Sequence, residues 1–332
     1  MNALTAPGLL LLELGDKPPP DPTAEPAGYV VVSDDGHRIH FLDWGPARGA
    51  GADRSTVANG APRVLLVPGL AATAWSWAAV ARRLIASALV VAMDPRGNGL
   101  SDSPTEAYEW DVLAGDAVAV AEGAGLLSPP GQPPGGPLVI AGIGYGATVA
   151  AWTARALGGR CAGLVLVDGG WEDLADSTGA TPEEWLASIE EPPEVLASMK
   201  AWLADREAFD PLSWDADEER AARAQVVETA AGRVKLAVHP HALAGSVRAL
   251  WSYEPAAVLP DLEASIVALV ARDEDGSRAA ALAGIARRRA EAGRSPIRAA
   301  AFPGRGHNLA RHEPGAVAAA VLALAAGATM RP

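Results

Sequence analysis

The stretch Leu138-Val139-Ile140-Ala141-Gly142-Ile143-Gly144-Tyr145-Gly146-Ala147 decides the fold. It opens with four consecutive apolar residues, the signature of a strand covered on both faces, and glycines at every second position then mark a tight turn into a helix. The small residues around that turn have a mechanical reason. Strand and helix come so close together that larger side chains would collide.

Outward from this stretch, short apolar runs at residues 64–67, 88–92, 164–167 and 266–270 repeat the same pattern, mostly separated by helical segments. Fully apolar strands alternating with helices predict an α/β architecture with a mostly parallel central sheet. Before them, residues 29–32 and 37–44 are β-type runs joined by Ser33-Asp34-Asp35-Gly36, which predicts a hairpin. Residues 45–62, rich in Gly, Ala and Pro and without periodicity, predict an exposed loop.

The alternation breaks once. Residues 171–260 contain no clear strand and read as an inserted helical cap, dividing the chain into an N-terminal extension (1–27), a core (28–170 and 261–332) and the cap. That segment holds 7 Lys+Arg and 17 Asp+Glu, a net of −10 of the chain's −13, and half of its 10 tryptophans. Most of these tryptophans are expected to pack the cap on the core, because aromatic side chains chiefly supply buried area. Trp75, Trp171 and Trp251 are the candidates for lining an apolar substrate pocket.

With 332 residues, 49% of them hydrophobic and 20% charged, the chain can bury a large core, which excludes a disordered chain, a collagen and a disulfide-stapled miniprotein. Its 27 Lys+Arg against 40 Asp+Glu repel polyanions, and the one basic cluster, Arg287-Arg288-Arg289, is short, so nucleic acid is not an expected partner. The single cysteine, Cys161, forms no intramolecular disulfide and anchors no metal site. The apolar run 9–12 has no basic residue before it, so no signal peptide is expected, and no run of membrane-span character occurs. A cytoplasmic location follows as the expectation; the oligomeric state is not legible.

Four segments in order resemble the α/β-hydrolase superfamily, over nearly the whole chain from Tyr29 to Ala326. Leu65-Leu66-Val67-Pro68-Gly69-Leu70 is similar to the strand and glycine turn that supply an oxyanion-hole amide, here that of Leu70, with Pro68 in place of the usual His. Asp94-Pro95-Arg96-Gly97-Asn98-Gly99-Leu100-Ser101-Asp102 resembles the family's Asp-x-Arg-Gly-x-Gly-x-Ser turn, a structural device rather than a catalytic one. The stretch quoted first resembles the nucleophile elbow Gly-x-Ser-x-Gly, with Gly144 at the nucleophile's position and the amide of Tyr145 as second oxyanion donor. Residues 267–275 resemble the strand and loop bearing the acid, Asp275 by spacing with Asp273 as alternate, and Ala301-Phe302-Pro303-Gly304-Arg305-Gly306-His307-Asn308 resembles the loop bearing the histidine, His307. The resemblance therefore implies an α/β-hydrolase fold, no cofactor, and a site of His307, Asp275, Gly144, Leu70 and Tyr145.

Gly144 rules out covalent catalysis from the elbow, because it has no hydroxyl, thiol or carboxylate. Three readings stay open: a Ser hydrolase carrying an inactivating Ser→Gly replacement; an enzyme whose His-Asp pair activates water or removes a substrate proton, as hydrolase, lyase or cyclase; and a pocket that binds a ligand without turnover. A phosphate cradle is disfavoured, since Gly-x-Gly-x-Gly lacks the dinucleotide spacing and follows the fifth strand, not the first. His239 and His241 are spaced as metal ligands, but no cysteine or carboxylate cluster completes a site, and Pro240 instead marks a break between helices. The acidic, Trp-rich cap favours a neutral or cationic, largely apolar small molecule such as an ester, lactone or related carbonyl compound.

Overall fold

The computed structural model describes residues 6–45, 60–128 and 135–329. Most of the loop expected at residues 45–62 lies outside the described residues. In chain order the strands are β1 (Leu9–Leu11), β2 (Ala27–Val32), β3 (Arg38–Asp43), β4 (Arg63–Val67), β5 (Leu89–Met93), β6 (Leu138–Ile143), β7 (Gly163–Val167), β8 (Val226–Glu228), β9 (Val234–Leu236), β10 (Ser265–Val270) and β11 (Ile297–Ala301). Nine form one sheet in the order β1-β11-β10-β7-β6-β4-β5-β3-β2. All its pairings are parallel except β2 with β3 and β3 with β5.

The central parallel strands are mostly apolar because each face meets a helical layer. Leu65 and Val67 of β4 and Leu138 and Ile140 of β6 join the core on one side with the helix Tyr145–Leu157. Val64, Leu66, Val139 and Ala141 join the opposite core with the helices Ala78–Leu84 and Pro314–Thr329. Alternate residues thus face opposite layers, as the two-residue repeat of a strand requires. Among the described residues, no helix is long and apolar enough to cross a membrane.

The chain leaves β4 for β5 on one side and, after β5, returns to β6 on the other, so the strand order reverses between β4 and β6. In open α/β sheets the crevice at the carboxyl ends of such strands is where ligands bind.

Two features depart from the sequence reading. The run at 9–12, read as part of an extension, supplies β1, which pairs with β11 and extends the sheet at that edge. The segment between β7 and β10 is mostly helical, as expected, but it also contains a two-stranded antiparallel ribbon of β8 and β9. Three residues per strand, with Glu228 and Lys235 exposed, are too few to give a readable period. The ribbon packs Val226 and Val234 against Trp202 in a small core of its own.

Hydrogen bonds and ion pairs tie this insertion to the rest of the molecule. Arg311, in the turn of helix Leu309–His312, donates to the Ser213 hydroxyl at 2.6 Å and to the Asp210 carbonyl at 2.8 Å, and lies 3.4 Å from Glu218. Burial pushes the Glu218 carboxyl up to about 7 in spite of Arg311, with Asp215, Asp217 and Asp210 acting in the same direction as burial. A folded value above the unfolded one means that the native state holds this proton more tightly. That contribution is complete below about pH 4.5 and is lost as pH rises through about 7. Glu218→Gln should therefore gain thermal stability relative to the parent as pH is raised from 5 to 8, measured by melting at each pH; parallel curves would refute this account.

Candidate active site

The tight turn after β6 is what positions the site. Gly144 sits between β6 and the helix Tyr145–Leu157 with φ 52° and ψ −116°, a conformation that residues with a Cβ adopt only under strain. A Cβ at Gly142 would run into the Gly146 carbonyl, one at Gly146 into the carbonyls of Val67 and Pro68, and one at Gly169 would lie 2.7 Å from the Gly144 Cα. Backbone from β4, β6 and β7 thus converges at one point. Gly142→Ala should cost about 2 kcal/mol or more by overpacking, measurable by denaturant unfolding.

Around this point the structure gathers four of the expected residues. Tyr145 is the first residue of its helix, so its amide is among those without an intrahelical partner. Leu70 lines the same cavity from the loop after β4. Asp94 steadies that loop: its carboxylate accepts from the amides of Ala74 at 2.7 Å and Leu100 at 3.0 Å and is bonded to the His40 imidazole at 2.8 Å. Arg96, from the same motif, is buried and forks onto Asp116 at 2.6 and 2.7 Å. His307 arrives from the loop after β11, and its Nε2 stands 2.9 Å from where a Cβ at residue 144 would lie.

The acid is not where spacing put it. Asp275 accepts from the side chain of Ser277 and, at 2.9 Å, from its amide, in the exposed turn before the helix Ser277–Glu291, and these contacts hold its carboxyl below the usual range. Asp273 accepts from the amides of Arg278 and Ala279, at 3.4 and 2.8 Å. Neither is bonded to His307. The histidine's Nδ1 is bonded instead to Oδ2 of Asp168 at 2.6 Å, directly after β7. Oδ1 of Asp168 accepts from the Ala271 amide at 2.7 Å and from Arg278 at 2.6 Å. Burial raises the Asp168 pKa, but the bond from His307, the Arg278 charge and the Ala271 amide outweigh it and leave the carboxyl below its ordinary value.

Asp168 is held in a left-handed backbone conformation, φ 48°, unusual for a residue with a side chain. Its amide donates to the Leu269 carbonyl at 2.8 Å, so both backbone and side chain are fixed from β10 and its loop. The sequence does carry a signal for it: an acid followed by Gly169-Gly170 at the carboxyl end of an apolar strand, one strand along from Gly144.

These groups open into a cavity of about 640 Å³ between the sheet and the insertion. The tryptophans among its lining residues are Trp185 and Trp202, not Trp75, Trp171 or Trp251. Trp75 packs edge-on against Trp44 beneath Arg220. Trp171 is buried beneath Arg278, and Trp251 lies behind Trp185 with its indole N–H donating to the Ala180 carbonyl at 2.7 Å. Each of the three thus supports the structure rather than the cavity surface. His239 and His241 lie with ring centroids 5.4 Å apart and tilted by 35° at the start of the helix Pro240–Trp251, where Pro240 takes the first position, and His241 shares a 3.0 Å hydrogen bond with Ser103.

The arrangement is that of a base. A buried carboxylate bonded to one imidazole nitrogen fixes the tautomer and leaves Nε2 to accept a proton. Leu70 and Tyr145 line the same cavity.

The sequence profile of the alpha/beta hydrolase family matches residues 64–320. No curated protein sequence matches the chain. Among solved structures, the chain is similar to an E-2-(acetamidomethylene)succinate hydrolase, with TM-score 0.67 and 19% identity over 90% of this chain and 99% of that one. It is also similar to a thioesterase domain from the curacin biosynthetic pathway, with TM-score 0.64 and 18% identity over 90% and 99%. An esterase from Rhodococcus sp. ECU1013 follows with TM-score 0.59 and 20% identity over 90% and 98%. Profile, sheet order and strand-to-helix turn agree, and the chain belongs to the alpha/beta hydrolase family.

Proposed function

We propose that this protein is a hydrolase in which His307, held by Asp168, acts as general base on water, directed at the carbonyl of a small, uncharged, largely apolar ester or lactone. The observation that carries this reading is the placement of His307 Nε2, 2.9 Å from the start of any side chain at residue 144, while its Nδ1 is bonded to Asp168. A water hydrogen-bonded to Nε2 takes the part that a serine hydroxyl would take at the elbow. Its oxygen attacks the carbonyl carbon and its proton passes to Nε2. The Leu70 and Tyr145 amides stabilise the resulting oxyanion, an effect of about 3 to 4 kcal/mol per donor in enzymes where it has been tested. The imidazolium then returns the proton to the leaving alkoxide, and the acid product departs.

The lining supports an uncharged substrate. Its arginines are already paired, Arg278 with Glu172 at 2.9 Å and Arg206 with Glu191 at 2.5 Å, while Leu174, Ile189, Leu236, Leu243 and Leu250 supply apolar surface. An anionic substrate would find no unpaired cation among the described lining residues. The similar folds include a hydrolase, a thioesterase domain and an esterase, which makes an acyl carbonyl the first chemistry to test.

Purified protein should hydrolyse short activated esters or lactones, with a rate that falls on acidification as the base is protonated. His307→Ala and Asp168→Asn should each lower turnover by about 10²- to 10⁴-fold, the usual share of general acid–base catalysis, while Asp275→Asn leaves it unchanged. Activity that survives His307→Ala would refute the reading.

Gly144→Ser tests the same geometry from the other side. The new Cβ requires the exposed His307 ring to withdraw by a few tenths of an ångström, which a side chain with 63% of its surface in solvent can do. Esterase turnover should rise, with a burst of covalent acyl-enzyme absent from the parent. Equal rates with an intact fold would count against the latent nucleophile position.

A further inference from the structure

Arg278 has a position that helix preference does not explain. It is the second residue of the helix Ser277–Glu291, where a cation meets the unfavourable end of the helix dipole. What holds it there is two carboxylates from the end of β7. One terminal nitrogen donates to Asp168 at 2.6 Å, and the other donates with Nε to Glu172 at 2.9 and 3.0 Å. Its side chain is only 20% exposed and lies 5.5 Å from the Trp171 ring centre.

We propose that Arg278 is a positioning residue that locks the Asp168 carboxylate onto His307 and sets the pH range in which His307 is a free base, with Glu172 as its counterweight. With Oδ1 taken by Arg278 and the Ala271 amide, the carboxylate cannot rotate without breaking two bonds, so Oδ2 stays on the imidazole. Charge gives the second half of the argument. Asp168 alone stabilises imidazolium; Arg278 opposes that effect, and Glu172 partly restores it.

The other charged groups around His307 are turned to partners of their own. Arg305 pairs with Glu313 at 2.9 Å, His312 with Asp210 at 3.0 Å and Arg272 with Glu274 at 3.4 Å. Arg311 is bonded to Ser213 and lies beside Glu218, and Asp273 caps the helix through the Ala279 amide. The balance at the imidazole is therefore struck by Asp168, Arg278 and Glu172.

The proposal rests on His307 being the base, but its test does not need a substrate. The His307 ring is titrated by NMR in the intact protein, and ester turnover is followed separately. Arg278→Met should move the titration midpoint up by about one pH unit, a tenfold gain in proton affinity, and broaden the downfield Nδ1–H signal. Glu172→Gln should move the midpoint down, and Arg272→Met should leave it in place. Arg278→Lys, which keeps the charge and loses the fork, should hold the midpoint within a few tenths of a unit while kcat falls about tenfold at nearly constant KM. If Arg278→Met does not fold, the Glu172→Gln and Arg278→Lys results decide. Midpoints that stay put, or that move the same way in the Met and Gln variants, would overturn the proposal and leave Arg278 a purely structural residue. Absence of ester hydrolysis in the parent, with the shifts as stated, would instead remove the proposed reaction and leave this inference standing.

Discussion

The close approach of three backbone segments at the carboxyl end of β6 governs the molecule. The glycine at 142 lets β6 and its helix touch, the one at 146 lets that helix rest on the loop after β4, and the one at 169 lets the chain leaving β7 pass over Gly144. Once these contacts are made, the positions of Tyr145 and Asp168 follow within a small range, because each adjoins a glycine packed against neighbouring backbone. The price of such convergence is conformational strain, seen in the positive φ of Asp168, whereas Gly144 takes its positive φ without a steric penalty. The surrounding parallel sheet, apolar on both faces, is rigid enough to hold it.

Charge is handled by the same economy. A carboxylate with 1% of its side chain exposed, as at Asp168, is costly to bury alone and becomes tolerable when both of its oxygens are hydrogen-bonded. Here it is met by an amide, a guanidinium and an imidazole, the last of which is 63% exposed and able to turn. By contrast an exposed carboxylate such as Asp275 interacts in a high dielectric, where its contacts orient little. The difference in burial, more than distance along the sequence, is why the first of these acids holds His307 and the second holds only a helix start.

This explains what was legible in the sequence and what was not. The strand runs of the parallel sheet, the turn at Gly144 and the loop bearing His307 were readable because backbone sterics and strand periodicity leave a local mark. Spacing along the chain points to Asp275, whereas the hold of Asp168 on His307 depends on Arg278 and Ala271 reaching back across 110 and 103 residues. The tryptophans failed for a related reason. Burial is legible in an indole, but which wall of a cavity it covers is set by packing between helices, and Trp185 differs from Trp251 only by being in front of it. β1 was hidden because three apolar residues become an edge strand only when β11 is there to pair with them.

The glycine at 144 leaves the division of labour in such a site open to change without changing the fold. In a serine elbow the nucleophile, the oxyanion amide and the strained backbone belong to one turn. Here the turn geometry and the amide remain, since both are backbone properties, while the nucleophile, a side-chain property, is absent. The imidazole of His307 stays in place because it is fixed elsewhere, from β7, β10 and the loop after β11. A fold that distributes its functional groups over separate strands in this way can lose one of them and keep the geometry of the rest. The chemistry that then remains is decided by what His307 Nε2 can reach, and in this structure it reaches the space directly above Gly144.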